Sequence, residues 1–130
     1  MANYALVIDV SKCSDCYNCF LACKDEHCGN DHPLVARPQP ETGHCWMNIV
    51  ERERGQYPKV KVASIPVTCM HCDDAPCVAK AKGGAVYKRK DGIVIIDPVK
   101  AKGQKQIVDA CPYGVVFWNK EESVPQKCTM

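Results

Sequence analysis

No long hydrophobic run occurs in the chain. The most extended aliphatic stretch, Ile93 to Ile96, is far short of the roughly 20 residues that span a bilayer. The opening MANYALVIDV lacks both the basic and the apolar regions of a secretory signal. The expectation is a chain that is neither exported by a signal of its own nor directly membrane-spanning. Aromatics are scarce, with two Phe and two Trp, and Leu, Ile, Val and Phe together supply 27 of 130 residues. That is thin for a self-sufficient apolar core. Neither sign of charge dominates, 17 Lys and Arg facing 15 Asp and Glu, so nothing in the balance points to nucleic acid. P-loop, G-x-S-x-G and G-x-G-x-x-G signatures are absent, as is a paired acid and base at a recognisable spacing. No active site is expected in this chain.

Cysteine, by contrast, is present in excess, with 11 residues. An odd count packed into C-x2-C spacings, without an export signal, argues for metal ligation in a reducing, cytoplasmic compartment and against a disulfide framework. Clusters would then supply much of the folding energy, and the apo chain should be poorly folded. The runs follow the ferredoxin pattern C-x2-C-x2-C-x3-C-P, in which three thiolates hold one cube and the fourth ligates the other run's cube. Cys13, Cys16, Cys19 and Cys23 form the first run. Cys69, Cys72 and Cys77 form the second, with Ala81 in the fourth place and Lys82 where Pro would stand.

An internal repeat locates a third run. Laying Val7 to Cys23 on Ile95 to Cys111 without a gap matches Ile8 to Ile96, Asp9 to Asp97, Lys12 to Lys100, Ala22 to Ala110 and Cys23 to Cys111. Cys13, Cys16 and Cys19 then fall on Ala101, Gln104 and Ile107. Cross-pairing the second and third runs gives one complete site, Cys69, Cys72, Cys77 and Cys111, and one with no ligands left, at Ala81, Ala101, Gln104 and Ile107. Coherent loss of a single cluster explains this better than scattered loss. A fourth run opens at Lys127 and Cys128, repeating Lys12 and Cys13. Cys13, Cys16 and Cys19 would take their fourth ligand from that run, and Cys23 would join the site that Cys128 begins. Cys28 and Cys45 fit no run and are read as ordinary thiols.

The alternative is zinc, which C-x2-C pairs also bind. The overlapping triplet Cys13, Cys16 and Cys19 suits tetrahedral zinc poorly. His71, inside CMHC, is read as a loop histidine that tunes a cluster by charge or hydrogen bonding. The Lys and Arg between Lys80 and Lys105 are read as a solvated face, and Trp46, Trp118 and Tyr113 as core.

The expected fold class is α+β: a ferredoxin-like polyferredoxin of short β-hairpins and short helices around 4Fe-4S clusters, with internal pseudo-repeats. Helices are expected at Phe20 to His27 and Gln106 to Ala110. One hairpin joins Val86–Tyr87 to Ile93–Ile96 through Asp91-Gly92, and another joins Trp46–Glu53 to Lys59–Val67 about Gly55. The expected organisation is half of a first ferredoxin module at 1–23, an inserted loop and hairpin at 24–68, and a second module with one cluster lost at 69–118. The start of a fourth run follows at 119–130, completing the first module but cut short at Met130.

The order of the runs, with CMHCDDAPC, DGIVIIDP and ACPYG in place, resembles the iron-sulfur beta subunit of the molybdopterin oxidoreductases related to dimethyl sulfoxide reductase, over essentially the whole chain. HCWMNIVERERGQYP and the emptied third run are similar to a transhydroxylase beta subunit of that group. The resemblance implies three 4Fe-4S clusters in the complete subunit, of which one is fully ligated within this chain, and a molybdopterin-containing catalytic alpha subunit as partner. It also implies Cys13, Cys16, Cys19, Cys23, Cys69, Cys72, Cys77, Cys111 and Cys128 as ligands, and an electron-transfer role.

Overall fold

The structure is a computed structural model that describes residues 3–130. Its helices are α1 (Asn18–His27), α2 (Pro76–Lys80) and α3 (Gln106–Asp109), with a 3-10 turn at Val10–Lys12. Its strands are β1 (Asn48–Gln56), β2 (Lys59–Val67), β3 (Val86–Lys88), β4 (Val94–Ile96), β5 (Phe117–Asn119) and β6 (Val124–Gln126), paired as three two-stranded antiparallel hairpins. This is an α+β arrangement. Among the described residues no helix is long and apolar enough to cross a membrane.

The β3–β4 hairpin forms where Val86–Tyr87 and the apolar run Ile93–Ile96 flank the Asp91-Gly92 turn signal. Tyr87 pairs with Ile95, the Arg89 N–H donates to the Ile93 carbonyl at 2.8 Å, and Gly92 takes a φ of 89° that a side chain would resist. The β1–β2 hairpin differs from expectation in its turn. Gly55 lies within β1 opposite Val60, and residues 57 and 58 make the reversal. Glycine is needed there for a different reason: a Cβ on Gly55 would lie 2.2 Å from the Lys59 carbonyl oxygen. Trp46, expected at the start of this strand, precedes it and is buried, with its ring 4.3 Å from that of His27.

The hairpin buries Ile49 and Ser64 at its base, and the Tyr17 hydroxyl donates to Glu51 Oε1 at 2.8 Å. From Glu51 to Ala63 it is exposed on both faces. The core lies in the C-terminal half, where Ala75 and Cys77 from α2, Val86, Val94 and Ile96 from the small hairpin, and Ala101, Ile107 and Val116 pack together. Tyr113, expected in the core, is 59% exposed: it follows Pro112 in the turn after α3, at the edge of a cavity it shares with Cys111 and Val115.

The Asp9 and Asp97 turns have like hydrogen bonds. Asp9 Oδ1 accepts the Ser11 N–H at 3.0 Å and Asp97 Oδ1 accepts the Val99 N–H at 2.9 Å. Each Asp also pairs with the Lys three residues on, both at 3.7 Å.

Candidate cluster sites

Three cysteine loops share one local device. Two residues after Cys13, Cys69 and Cys128 stand Asp15, His71 and Met130, with left-handed φ of 58°, 47° and 68°. None is glycine, so each position costs about 1–3 kcal/mol unless something is gained. The gain is amide direction. The His71 N–H donates to Cys69 Sγ at 3.5 Å and the Met130 N–H donates to Cys128 Sγ at 3.4 Å. A left-handed residue turns successive N–H groups toward one concave side, which suits an anionic occupant.

Four cysteines from distant parts of the chain then meet. Cys69, Cys72, Cys77 and Cys111 all line one cavity, whose apolar wall includes Ala75, Val94, Val115 and Val116. Cys77 enters from the first turn of α2 and Cys111 from just beyond α3. Among the described residues no three His, Cys, Asp or Glu side chains are close enough to share a single metal ion. Four thiols on one cavity match the four thiolates that a 4Fe-4S cube takes.

His71 ties the Cys69–Cys72 loop to β4: its Nδ1 accepts the Val94 N–H at 3.0 Å, which leaves the ring proton on Nε2. Nε2 is buried without a protein partner, an orphaned donor beside the cavity. Burial, helped by the Lys127 and Lys88 charges and opposed by the Val94 hydrogen bond, lowers the His71 pKa to about 4. The imidazole is therefore neutral at pH 7, and of the two roles expected for it only hydrogen bonding is left. Burial likewise pushes the Cys77 thiol up, with Lys127 pulling the other way. Lys127, matched in the sequence to Lys12, has a different fate. The Lys12 side chain is 83% exposed, whereas Lys127 is 2% exposed.

Cys23 and Cys128 line a second, open cavity together with His27 and Ile93. Cys13 is partly buried and Cys16 and Cys19 are exposed. Cys28 and Cys45 line another cavity with Phe20, Lys24 and His44. Burial raises the Cys45 thiol above its ordinary value.

The third run is filled with protein. Ala101 and Ile107 are both 0% exposed and Ala81 packs against them. Gln104 closes the gap: its Oε1 accepts the Lys82 N–H at 2.8 Å, and its Nε2 donates to the Lys82 carbonyl at 3.1 Å and the Lys100 carbonyl at 2.8 Å. A proline at 82 would have no N–H to give. The replacements at 82 and 104 therefore fit one another.

His44 gives a pH prediction. Its ring stacks on Phe117 at 4.9 Å, and burial, followed by the Lys24 charge, lowers its pKa to about 4, against roughly 6.5 in the unfolded chain. Between those values the unfolded state holds more protons, so this contribution is complete above about pH 6.5 and is lost as the pH falls toward 4. The denaturation midpoint should fall between pH 7 and pH 5, and His44→Phe should flatten that fall. An equal slope in the variant would remove His44 as the cause.

Residues 60–130 match the model of the 4Fe-4S dicluster domain, which is more than half of the chain. The chain belongs to that family. Its small hairpins and short helices around cysteine loops are thus a ferredoxin-like fold, and 4Fe-4S clusters are its cofactors. The family member in hand is 58% identical over 130 residues to the pyrogallol hydroxytransferase small subunit of Pelobacter acidigallici, covering 100% of this chain and 47% of that protein. It is 40% identical over 114 residues to the arsenate respiratory reductase iron-sulfur subunit ArrB of a Shewanella species, covering 88% of this chain and 44% of that protein. The chain spans about half the length of the curated relatives it matches.

Proposed function

We propose that this chain belongs to an electron-transfer iron-sulfur subunit working beside a molybdopterin-containing catalytic subunit, of the pyrogallol–phloroglucinol transhydroxylase type. The observation that carries the reading is the convergence of Cys69, Cys72, Cys77 and Cys111 on one cavity. The 58% identity to the pyrogallol hydroxytransferase small subunit favours that type. A relay for another molybdopterin oxidoreductase is the second reading, favoured by the likeness to ArrB.

In this reading Cys69, Cys72, Cys77 and Cys111 hold one complete cluster, which when bound supplies one-electron transfer. Cys13, Cys16, Cys19, Cys23 and Cys128 contribute to two further clusters whose ligand sets are incomplete within 1–130. The cavity shared by Cys23 and Cys128 supports their pairing. The matched Asp turns support the pseudo-repeat, with half a module at 1–23, an insert at 24–68, a second module at 69–118 and the next run from 119. We place the protein in the cytoplasm, on its free thiols and cysteine spacing. One filled site also suits this chemistry. Transhydroxylation moves a hydroxyl group with no net redox change, so an interrupted row of clusters is tolerable, whereas a respiratory relay needs the row unbroken.

The chain's own residues position and shield. The amide of His71 points at a ligand sulfur, the imidazole fixes the loop to β4, and Val94, Val115 and Val116 exclude water. Anaerobically purified protein should contain iron and acid-labile sulfide in equal amounts. Zinc in place of both, or iron without sulfide, would sink the reading.

A further inference from the structure

Lys127 is buried, 2% exposed, yet it pairs with no carboxylate. Its Nζ donates to the Val94 carbonyl and, at 2.9 Å, to the Cys128 carbonyl. Among the described residues it forms no ion pair with Asp or Glu. A buried ammonium held by carbonyl oxygens alone is costly and is retained where an anion stands beside it. Thiols that could supply that charge adjoin it in the fold: Val94, whose carbonyl Lys127 takes, lines the cavity of Cys69 and Cys77, and Cys128 follows Lys127 directly. Cys69 and Cys77 belong to the complete site, and Cys128 to the neighbouring one.

We propose that the Lys127 ammonium is a positioning charge that sets the reduction potential of the cluster held by Cys69, Cys72, Cys77 and Cys111. The inference rests on the cluster reading above and adds a residue that neither spacing nor ligand count identifies. A cube bound by four thiolates becomes more negative by one charge when it accepts an electron. A fixed cation nearby stabilises the reduced form more than the oxidised one. In an effective dielectric near about 20 that difference amounts to about tenfold or more in the reduction equilibrium constant. Lys88 is the other cation near this loop, but its Nζ is taken up by Asp73 at 2.5 Å and by the Cys72 carbonyl at 3.2 Å, so its charge is already compensated.

The test is a redox titration of the full-length protein in its anaerobically isolated complex, followed by electron paramagnetic resonance, with iron and sulfide counted in parallel. Lys127→Gln keeps N–H donors for the two carbonyls and removes the charge; Lys127→Met removes both; Lys127→Arg keeps the charge. The neutral variants should retain iron and sulfide and show about a tenfold lower reduction constant for one cluster, about 59 mV for one electron. Lys127→Arg should stay close to the parent. Iron lost from both neutral variants but kept in Lys127→Arg would also support a role for the charge. Full iron content with an unchanged potential in Lys127→Gln, or iron lost from all three variants, would overturn the proposal. Iron missing from the unaltered protein would be a different failure, that of the cluster reading itself.

Discussion

Cys111→Ala is expected to abolish the four-iron spectrum of the complete site, although Cys111 belongs to a run whose other three ligand positions are Ala101, Gln104 and Ile107. The expectation comes from the shared cavity: Cys111 lines it with Cys69, Cys72 and Cys77. No residue of its own run supplies a sulfur. With one corner of the cube unanchored, at least one of its about four irons should go. Cys28→Ala is the control, because Cys28 lines a different cavity and should leave the iron count unchanged. Iron and sulfide per chain, with the reduced-state resonance spectrum, measure both. A Cys111→Ala variant with the parent's iron and spectrum would show that the second and third runs do not share a cluster.

The second large effect is expected away from any ligand. Ile107→Ala should cost about 2–5 kcal/mol, the range for truncating a buried Ile where the surroundings cannot collapse. Ile107 is 0% exposed and belongs to the apolar cluster that includes Cys77, with Cys111 packed against it. The void would therefore open behind two of the proposed ligands. Against a total stability of about 5–15 kcal/mol for a domain, cluster bleaching in denaturant should speed up markedly. Val99→Ala, at a position 62% exposed, should change stability by no more than about 0.5 kcal/mol. Equal bleaching rates for the two variants would mean that the filled run bears no part of the core. The filling also explains why cysteine cannot simply be put back: it would displace Ile107 from the core and undo the Gln104 bridge to Lys82.

Much of this was legible in local sequence. The β3–β4 hairpin was readable because its signal, Asp91-Gly92, acts within a few residues, and α3 because its segment aligns with the one in which α1 begins. The cysteine runs were readable because ligand spacing is itself local. What the sequence hid depends on distant partners. The β5–β6 hairpin has Pro125 within a strand, which argues against a strand until Trp118 is seen opposite it. The left-handed residues at 15, 71 and 130 carry no common side chain, and it is their backbone that repeats. Lys127 and Lys12 share a sequence frame but not an environment, since only long-range packing buries the former beneath β4.

Among the described residues the β1–β2 ribbon has no third strand on either side. Each of its strands therefore presents an outer row of backbone donors and acceptors to the surroundings, a ready template for another chain to add to. Its composition works against that outcome. Glu51, Arg52, Glu53 and Arg54 run in succession along β1, and Lys59 and Lys61 punctuate β2, so a second copy laid edge to edge would have to bring unscreened charges into register. The longest sheet in the protein is thus guarded against fibrous self-association by the same side chains that keep it in water.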